Sequence, residues 1–178
     1  MQSTRRWRSI ALGMIVASVA GAQQKGGACS LLTVKELTDA VGMAVDQGKE
    51  NDTVIPSGPS KGETMRGCMW RVGDKSMVSV STTPVRGNES ERAAAVARLN
   101  QVFERLKAKG WTQQRESFGG YRCSLMTPPS TEPSMPNMTG CMGAAKGQGV
   151  SVGFSSGTTK LPIDKVKTLF DKATARID

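Results

Sequence analysis

The chain has 178 residues, with 24 Lys and Arg against 15 Asp and Glu, four Cys, and no His. This length suits one domain with a substantial core, and a hydrophobic content of 38% argues against both a membrane-spanning and a disordered chain. The absence of His excludes Ser-His-Asp and Cys-His nucleophile pairs and His-ligated zinc, because each of them needs an imidazole.

Residues 1–22 have the pattern of a secretory signal peptide. Three arginines within the first eight residues precede an apolar run, Ile10 to Ala20, which closes on the small residues Ala20-Gly21-Ala22. The run is shorter than the about 20 residues that a membrane-spanning helix needs. We therefore expect export to the periplasm or the extracellular space, with no transmembrane segment after cleavage. The mature chain, residues 23–178, then carries a formal charge of +6 instead of +9.

Two short strings occur twice, in the same order. Cys-Ser-Leu-Leu-Thr at 29–33 returns as Cys-Ser-Leu-Met-Thr at 123–127, and Gly-Cys-Met at 67–69 returns at 140–142. A Val-Ser-Val segment follows each Gly-Cys-Met after a short turn. These correspondences predict an internal duplication within a single domain.

We place the two pseudo-repeats at 27–110 and 111–178. Four cysteines allow three pairings, of which only one joins the first and second Cys inside each pseudo-repeat, namely Cys29–Cys68 and Cys123–Cys141. In an exported chain an even number of cysteines indicates disulfides. We therefore predict two intra-repeat disulfides.

The predicted helices are recognised by their ends. Thr33 and Glu36 form a capping box before a helix that stops at Gly42. A longer helix runs from Glu89 to Lys109, capped by Asn88, and the last helix starts at Pro162.

Alternating segments predict three hairpins, Cys68–Val72 with Ser76–Thr83, Trp111–Phe118 with Tyr121–Met126, and Met138–Ala145 with Gly149–Ser155. The predicted fold class is α+β, with the two pseudo-repeats forming one antiparallel sheet packed by amphipathic helices. We expect the two long helices on one face of this sheet, and Trp70 and Trp111 in the core near the disulfides.

The helix opening Cys29–Thr33, followed by Cys68-Met69-Trp70 on a strand, resembles a loose set of uncharacterised bacterial envelope proteins. Many of these are small lipoproteins or extracytoplasmic sensor-like domains. The resemblance implies a non-enzymatic envelope domain held by disulfides, and it implies no binding residues. The chain departs from the pattern by lacking a lipoprotein cleavage site, and Gly143 stands in the second half where Trp70 stands in the first.

Enzymatic chemistry finds no support in the sequence. Ser-x-x-Lys, Lys-Thr-Gly and Cys-x-x-Cys are all absent, and most carboxylates fall where helix caps or solvated helix faces are expected. We therefore predict a non-enzymatic binding or accessory module without a cofactor. An inhibitor of an envelope hydrolase is an alternative, because small exported disulfide domains often block active sites with a rigid loop.

A methionine cluster supplies the metal alternative. Met135, Met138 and Met142 lie close in sequence to Cys141. Thioether and thiolate sulfurs are soft ligands that suit Cu(I). A copper(I)-handling protein using these three methionines, with Cys141 free, is thus a second possible function. Methionine also fills irregular gaps in cores, which needs no metal.

Two kinds of surface could bind a partner. The loops 47–61 and 128–137 each lie between paired cysteines, so we expect them near one another, and rigidly held loops often carry binding residues. The second surface is basic and comprises Arg92, Arg98, Arg105, Lys107, Lys109, Arg115 and Arg122. Such residues suit an envelope protein, a lipid head group or a cell-wall polymer rather than a nucleic acid.

Overall fold

The computed structural model describes residues 27–177, without the side chain of Arg92. The predicted signal peptide, residues 1–22, lies outside the described residues. Eight strands form one antiparallel sheet: β1 (Lys49–Glu50), β2 (Thr53–Val54), β3 (Thr64–Val72), β4 (Ser76–Pro84), β5 (Thr112–Phe118), β6 (Tyr121–Thr127), β7 (Asn137–Ala145) and β8 (Gln148–Ser156). Their order across the sheet is β1-β3-β4-β8-β7-β6-β5, with β2 also pairing with β3. The α+β class and all three predicted hairpins are confirmed, and the segment 47–61 contains two short strands as well as loop.

The helices begin and end close to where the sequence places them. They are a short 3-10 helix (Ala28–Leu31), α1 (Val34–Val41), α2 (Glu89–Ala108) and α3 (Ile163–Ala175). Capping boxes form at Thr33 with Glu36 and at Asn88 with Glu91. Gly42 ends α1 with a φ of 71°, a left-handed conformation that glycine adopts without steric cost.

One side of the sheet, here named the core face, carries the main hydrophobic core. Because side chains alternate along a strand, Trp70, Val80, Val152 and Phe154 all point to this face, and each is almost fully buried. The 3-10 helix, α1 and α3 cover them, and α3 contributes Ile163, Val166, Leu169, Phe170 and Ala173 to the same core.

The other side of the sheet, here named the α2 face, lies beneath α2. Leu99 and Phe103 of α2 line a small cleft together with Ser124, Gly140 and Met142, which occupy strand positions that face away from the core face. The two long helices therefore lie on opposite faces, and the expectation that they share one face is wrong. The 3-10 helix, α1 and α3 already cover the hydrophobic side chains of the core face. The hydrophobic side chains of α2, Leu99 and Phe103, therefore contact the other side of the sheet.

Both predicted disulfides form. Cys29–Cys68 joins the 3-10 helix to β3, and Cys123–Cys141 joins directly paired residues of β6 and β7, with Cα atoms 4.0 Å apart. A single row of side chains on the core face connects the two bonds across five strands, in the order Cys123, Cys141, Val152, Val80 and Cys68. The two disulfides therefore anchor the ends of one row.

The sheet is pseudo-symmetric about the pair Val80 and Val152. In the register of β4 and β8, Val78 pairs with Phe154 on one side of this point, and Thr82 pairs with Val150 on the other. Cys68 pairs with Val80 as Cys141 pairs with Val152, so the hairpins β3–β4 and β7–β8 correspond. The two copies of the other repeated string, at 29–33 and 123–127, do not have the same structure. The first copy forms most of the 3-10 helix and the residues after it, whereas the second copy lies in β6.

Candidate binding surface

The centre of the α2 face is a floor of small side chains. Strands β4 and β8 place Ser79, Ser81, Ser151, Gly153 and Ser155 there, all partly exposed. The hydroxyls of Ser81 and Ser151 lie 2.8 Å apart and share a hydrogen bond across the two strands. The floor is therefore shallow, weakly polar and uncharged.

Helix α2 lies over strands β5 to β7, next to this floor, and is held there by a limited apolar contact. Leu99, Phe103 and Leu106 are only partly buried, and no α2 side chain that the structure describes is buried. The guanidinium of Arg115 on β5 lies 4.6 Å from the centre of the Phe103 ring, which is a cation–π contact.

Trp70 and Trp111 are both buried, as expected, and Trp70 belongs to the core cluster that contains Cys68, Cys123 and Cys141. Trp111, shortly after the helix, lies outside that cluster, so only its position near the disulfides was predicted wrongly.

Positive charge collects on the α2 face. The strands contribute Lys49, Arg71, Arg115 and Arg122, and α2 with its C-terminal cap contributes Arg98, Arg105, Lys107 and Lys109. The two carboxylates on the described strands, Glu50 and Glu116, belong to the same row as the cysteines, on the opposite face. The helix itself carries Glu89, Glu91 and Glu104, and Glu91 is engaged in the helix cap. Within residues 27–177, no ion pair involves any of these eight cations.

On the opposite side of the molecule, formed by α1 and α3, most of the cations form ion pairs. Lys35 binds Asp39 and Lys167 binds Asp171, each at 2.7 Å, and Arg176 binds Glu36 at 2.8 Å. The Arg176 guanidinium is the main reason that the pKa of Glu36 lies well below its ordinary value of 4.5. On the described strands and helices, the cations without an ion pair therefore lie mainly on the α2 face, with Arg66 and Lys165 as the exceptions. The other cations without an ion pair lie in turns and loops, namely Lys61, Lys75, Lys146 and Lys160.

Of the eight large hydrophobic side chains that are exposed within residues 27–177, five lie on the same side as these cations. Met77, Met138 and Met142 project from strands onto the α2 face and are 40%, 36% and 38% exposed. Val96 and Val102 of α2 are 38% and 48% exposed. Apolar side chains clustered at the surface of a monomer mark an interaction site more often than scattered ones do.

The predicted methionine site does not converge. Met138 and Met142 lie on one strand four residues apart, so their Cα atoms are separated by about 13 Å. Cys141 is bonded to Cys123, as the predicted pairing requires, so the copper alternative is wrong in requiring a free Cys141. Within residues 27–177, no three side chains of His, Cys, Asp or Glu lie close enough together to hold a metal ion.

The two predicted loops lie at opposite ends of α2 rather than side by side. Pro59 lies against Gly87, just before the helix, and Pro129 lies against Gly110, just after it. The helix has 20 residues, so it separates these contacts by about 30 Å. The expectation that the loops 47–61 and 128–137 adjoin is therefore wrong. The segment 128–136 remains irregular, whereas part of 47–61 pairs with β3.

In the described part of the chain, none of the helices has the length and hydropathy required to cross a membrane. Comparison of the chain with protein-family models, curated proteins and solved structures gives no match. The functional argument therefore depends on the geometry and charge of the α2 face.

Proposed function

We propose that this chain is an exported, non-enzymatic binding module of the cell envelope, and that the α2 face is its binding surface. One observation carries this proposal. Within residues 27–177, eight cations that take part in no ion pair and five of the eight exposed large hydrophobic side chains occupy the same side of the molecule, whereas the cations of α1 and most of those of α3 are paired. A surface of this kind suits an anionic envelope component.

Export is supported by two features. Residues 1–22 have the charge and hydropathy pattern of a cleavable signal, and this pattern directs a chain to an oxidising compartment. All four cysteines form disulfides, and disulfides persist in such compartments. The long-range bond, Cys29–Cys68, fixes the start of the described chain to the sheet.

A non-enzymatic role is supported by the surroundings of the polar groups. Ser81 and Ser151 of the floor share a hydrogen bond, and within residues 27–177 no Lys or carboxylate forms a hydrogen bond with the serines of the floor. Glu36, whose pKa is lowered from its ordinary value, caps α1 and binds Arg176. Both contacts hold helices together, so they explain the lowered pKa without a catalytic role. Activation of a nucleophile requires a base within hydrogen-bonding distance.

The test is retention of the oxidised mature chain, residues 23–178, by isolated envelopes of the cell that produces it. The test variant is Arg98→Glu with Arg105→Glu, and the control is Lys160→Glu with Lys165→Glu, which changes the net charge equally on the α3 side. Neither pair takes part in an ion pair within residues 27–177. We expect salt-sensitive retention of the wild type and the control, and loss of retention of the test variant.

Two results would count against the proposal. Equal retention of both variants would remove the α2 face as the binding surface. Retention that instead depended on the loop 128–137 and co-purified a hydrolase would favour the inhibitor alternative. Circular dichroism of each variant checks that α2 remains helical.

A further inference from the structure

We infer that the α2 face docks on an anionic lipid bilayer, with its cations on lipid phosphates and its exposed aliphatic side chains in the head-group region. This inference rests on the proposed function and names the partner within it. Peripheral membrane binding needs basic residues and shallow apolar contact on one surface. The α2 face provides both.

The arrangement along α2 fits a planar surface. Arg98, Val102 and Arg105 are spaced by four and three residues, so they follow one another along one flank of the helix. Arg98 and Arg105, on either side of Val102, have long aliphatic side-chain stems. These stems can lie along an apolar surface while each guanidinium contacts a phosphate. Val102 between them is the most exposed hydrophobic residue of the helix, at 48%.

The strands carry the same combination on this side of the sheet, once at the cleft that Leu99 and Phe103 line and once outside it. Arg122 and Met142 are directly paired on β6 and β7, so a cation and an exposed thioether lie side by side. Arg71 and Met77 form the same kind of pair on β3 and β4. The same combination of cation and apolar group thus occurs on the helix and at two separate places on the sheet.

Other anionic partners fit these residues less well. Recognition of a sugar polymer generally uses exposed aromatic rings, but Phe103 is partly covered and is contacted by Arg115, and Trp111 is buried. An acidic protein would need a surface whose acidic and apolar groups match these positions individually, whereas a bilayer presents phosphates and an apolar layer over its whole plane. A bilayer accounts for both groups of residues at once.

The experiment is co-sedimentation with vesicles of equimolar phosphatidylglycerol and phosphatidylcholine, against vesicles of phosphatidylcholine alone. The protein is the oxidised mature chain. We expect binding only to the anionic vesicles. Each basic residue near such a surface strengthens partitioning about fivefold. Arg98→Gln with Arg105→Gln removes two of them and should therefore weaken partitioning about thirtyfold. Lys160→Gln with Lys165→Gln, on the α3 side, should leave it nearly unchanged.

A second variant tests the apolar part separately. Val102→Asn leaves the charge unchanged and should lower the binding that survives in 0.5 M salt, whereas Val54→Asn, at an exposed position of β2, should not. Absence of binding to anionic vesicles, or equal binding of the two charge variants, would overturn the inference. If Arg98→Glu with Arg105→Glu abolished envelope retention while the wild type did not bind vesicles, the proposed function would stand. Its partner would then be an acidic protein or polymer.

Discussion

The guanidinium of Arg176 donates two hydrogen bonds of 2.8 Å to the two carboxylate oxygens of Glu36, 140 residues earlier in the chain. The same guanidinium donates to the carbonyl oxygen of Leu31, and Glu36 also accepts from the backbone N–H of Thr33. One carboxylate thus caps α1 and joins it to the end of α3. This contact closes the core face around the helices that cover it.

Replacing Glu36 by Gln should lower the free energy of unfolding at pH 7 by roughly 1 to 3 kcal/mol, the range for charged hydrogen bonds. Because the folded state holds the pKa of Glu36 below its ordinary value of 4.5, its contribution is complete above that pH and is lost as the pH falls. Urea unfolding at pH 7, 4 and 3 should therefore show a steeper loss for the wild type than for the variant.

The matched control for this variant is Lys35→Gln, which breaks the pair between Lys35 and Asp39 on the surface of α1. Both side chains are largely exposed, so we expect no measurable change in stability. If the free energy of unfolding fell equally between pH 7 and pH 3 in the wild type and in Glu36→Gln, the role given to this carboxylate would be contradicted.

The two disulfides should contribute unequally. Cys29–Cys68 closes a separation of 39 residues and Cys123–Cys141 one of 18. From the entropy of loop closure, their removal should cost about 4 and about 3 kcal/mol. Denaturant unfolding of Cys29→Ala with Cys68→Ala, and of Cys123→Ala with Cys141→Ala, measures both. A larger loss from the second pair would contradict the entropic account.

Helix α2 should open far more readily than α3. None of its described side chains is buried, whereas five residues of α3 are. Backbone amides of segments with little buried apolar surface exchange by local opening rather than by global unfolding. Amide hydrogen exchange followed by mass spectrometry should show protection in α2 at least about tenfold lower than in α3. Equal protection would mean that α2 is part of the main cooperative unit.

Titration with Cu(I) should show no one-equivalent site that depends on both Met138 and Met142. The two residues are four positions apart on an extended strand, and Cys141 is bonded to Cys123. The measurement is a competition assay with a Cu(I) chelator, using Met138→Leu and Met142→Leu. A stoichiometric site lost in both variants would contradict the geometry.

The sequence predicted those features that depend on local signals. Capping residues located the helices, as Thr33 and Asn88 show, and alternating segments around glycine turns located the hairpins. The disulfide pairing followed from the repeated Gly-Cys-Met string. These features depend on residues close together in the chain or on an explicit sequence correspondence.

The sequence did not predict which face of the sheet α2 covers, since that depends on how α1 and α3 fill the core face. The α2 face itself was missed for the same reason. The alternation that buries Val78 and Val80 places Met77, Ser79 and Ser81 on the other side, but this signal has meaning only once the strands are in register. The basic residues were identified, and the structure adds that they share a surface with exposed hydrophobic side chains.

Covalent footprinting on isolated envelopes tests the central claim most directly. Acetylation reports on Lys107 and Lys109 at the end of α2, and on Lys160 and Lys165 as controls on the α3 side. Mild oxidation reports on Met77 and Met142, which are exposed on the α2 face. If the α2 face binds, Lys107, Lys109 and both methionines become protected while Lys160 and Lys165 react as in the free protein. Protection of Lys160 and Lys165 with unchanged labelling of the α2 face would contradict the account.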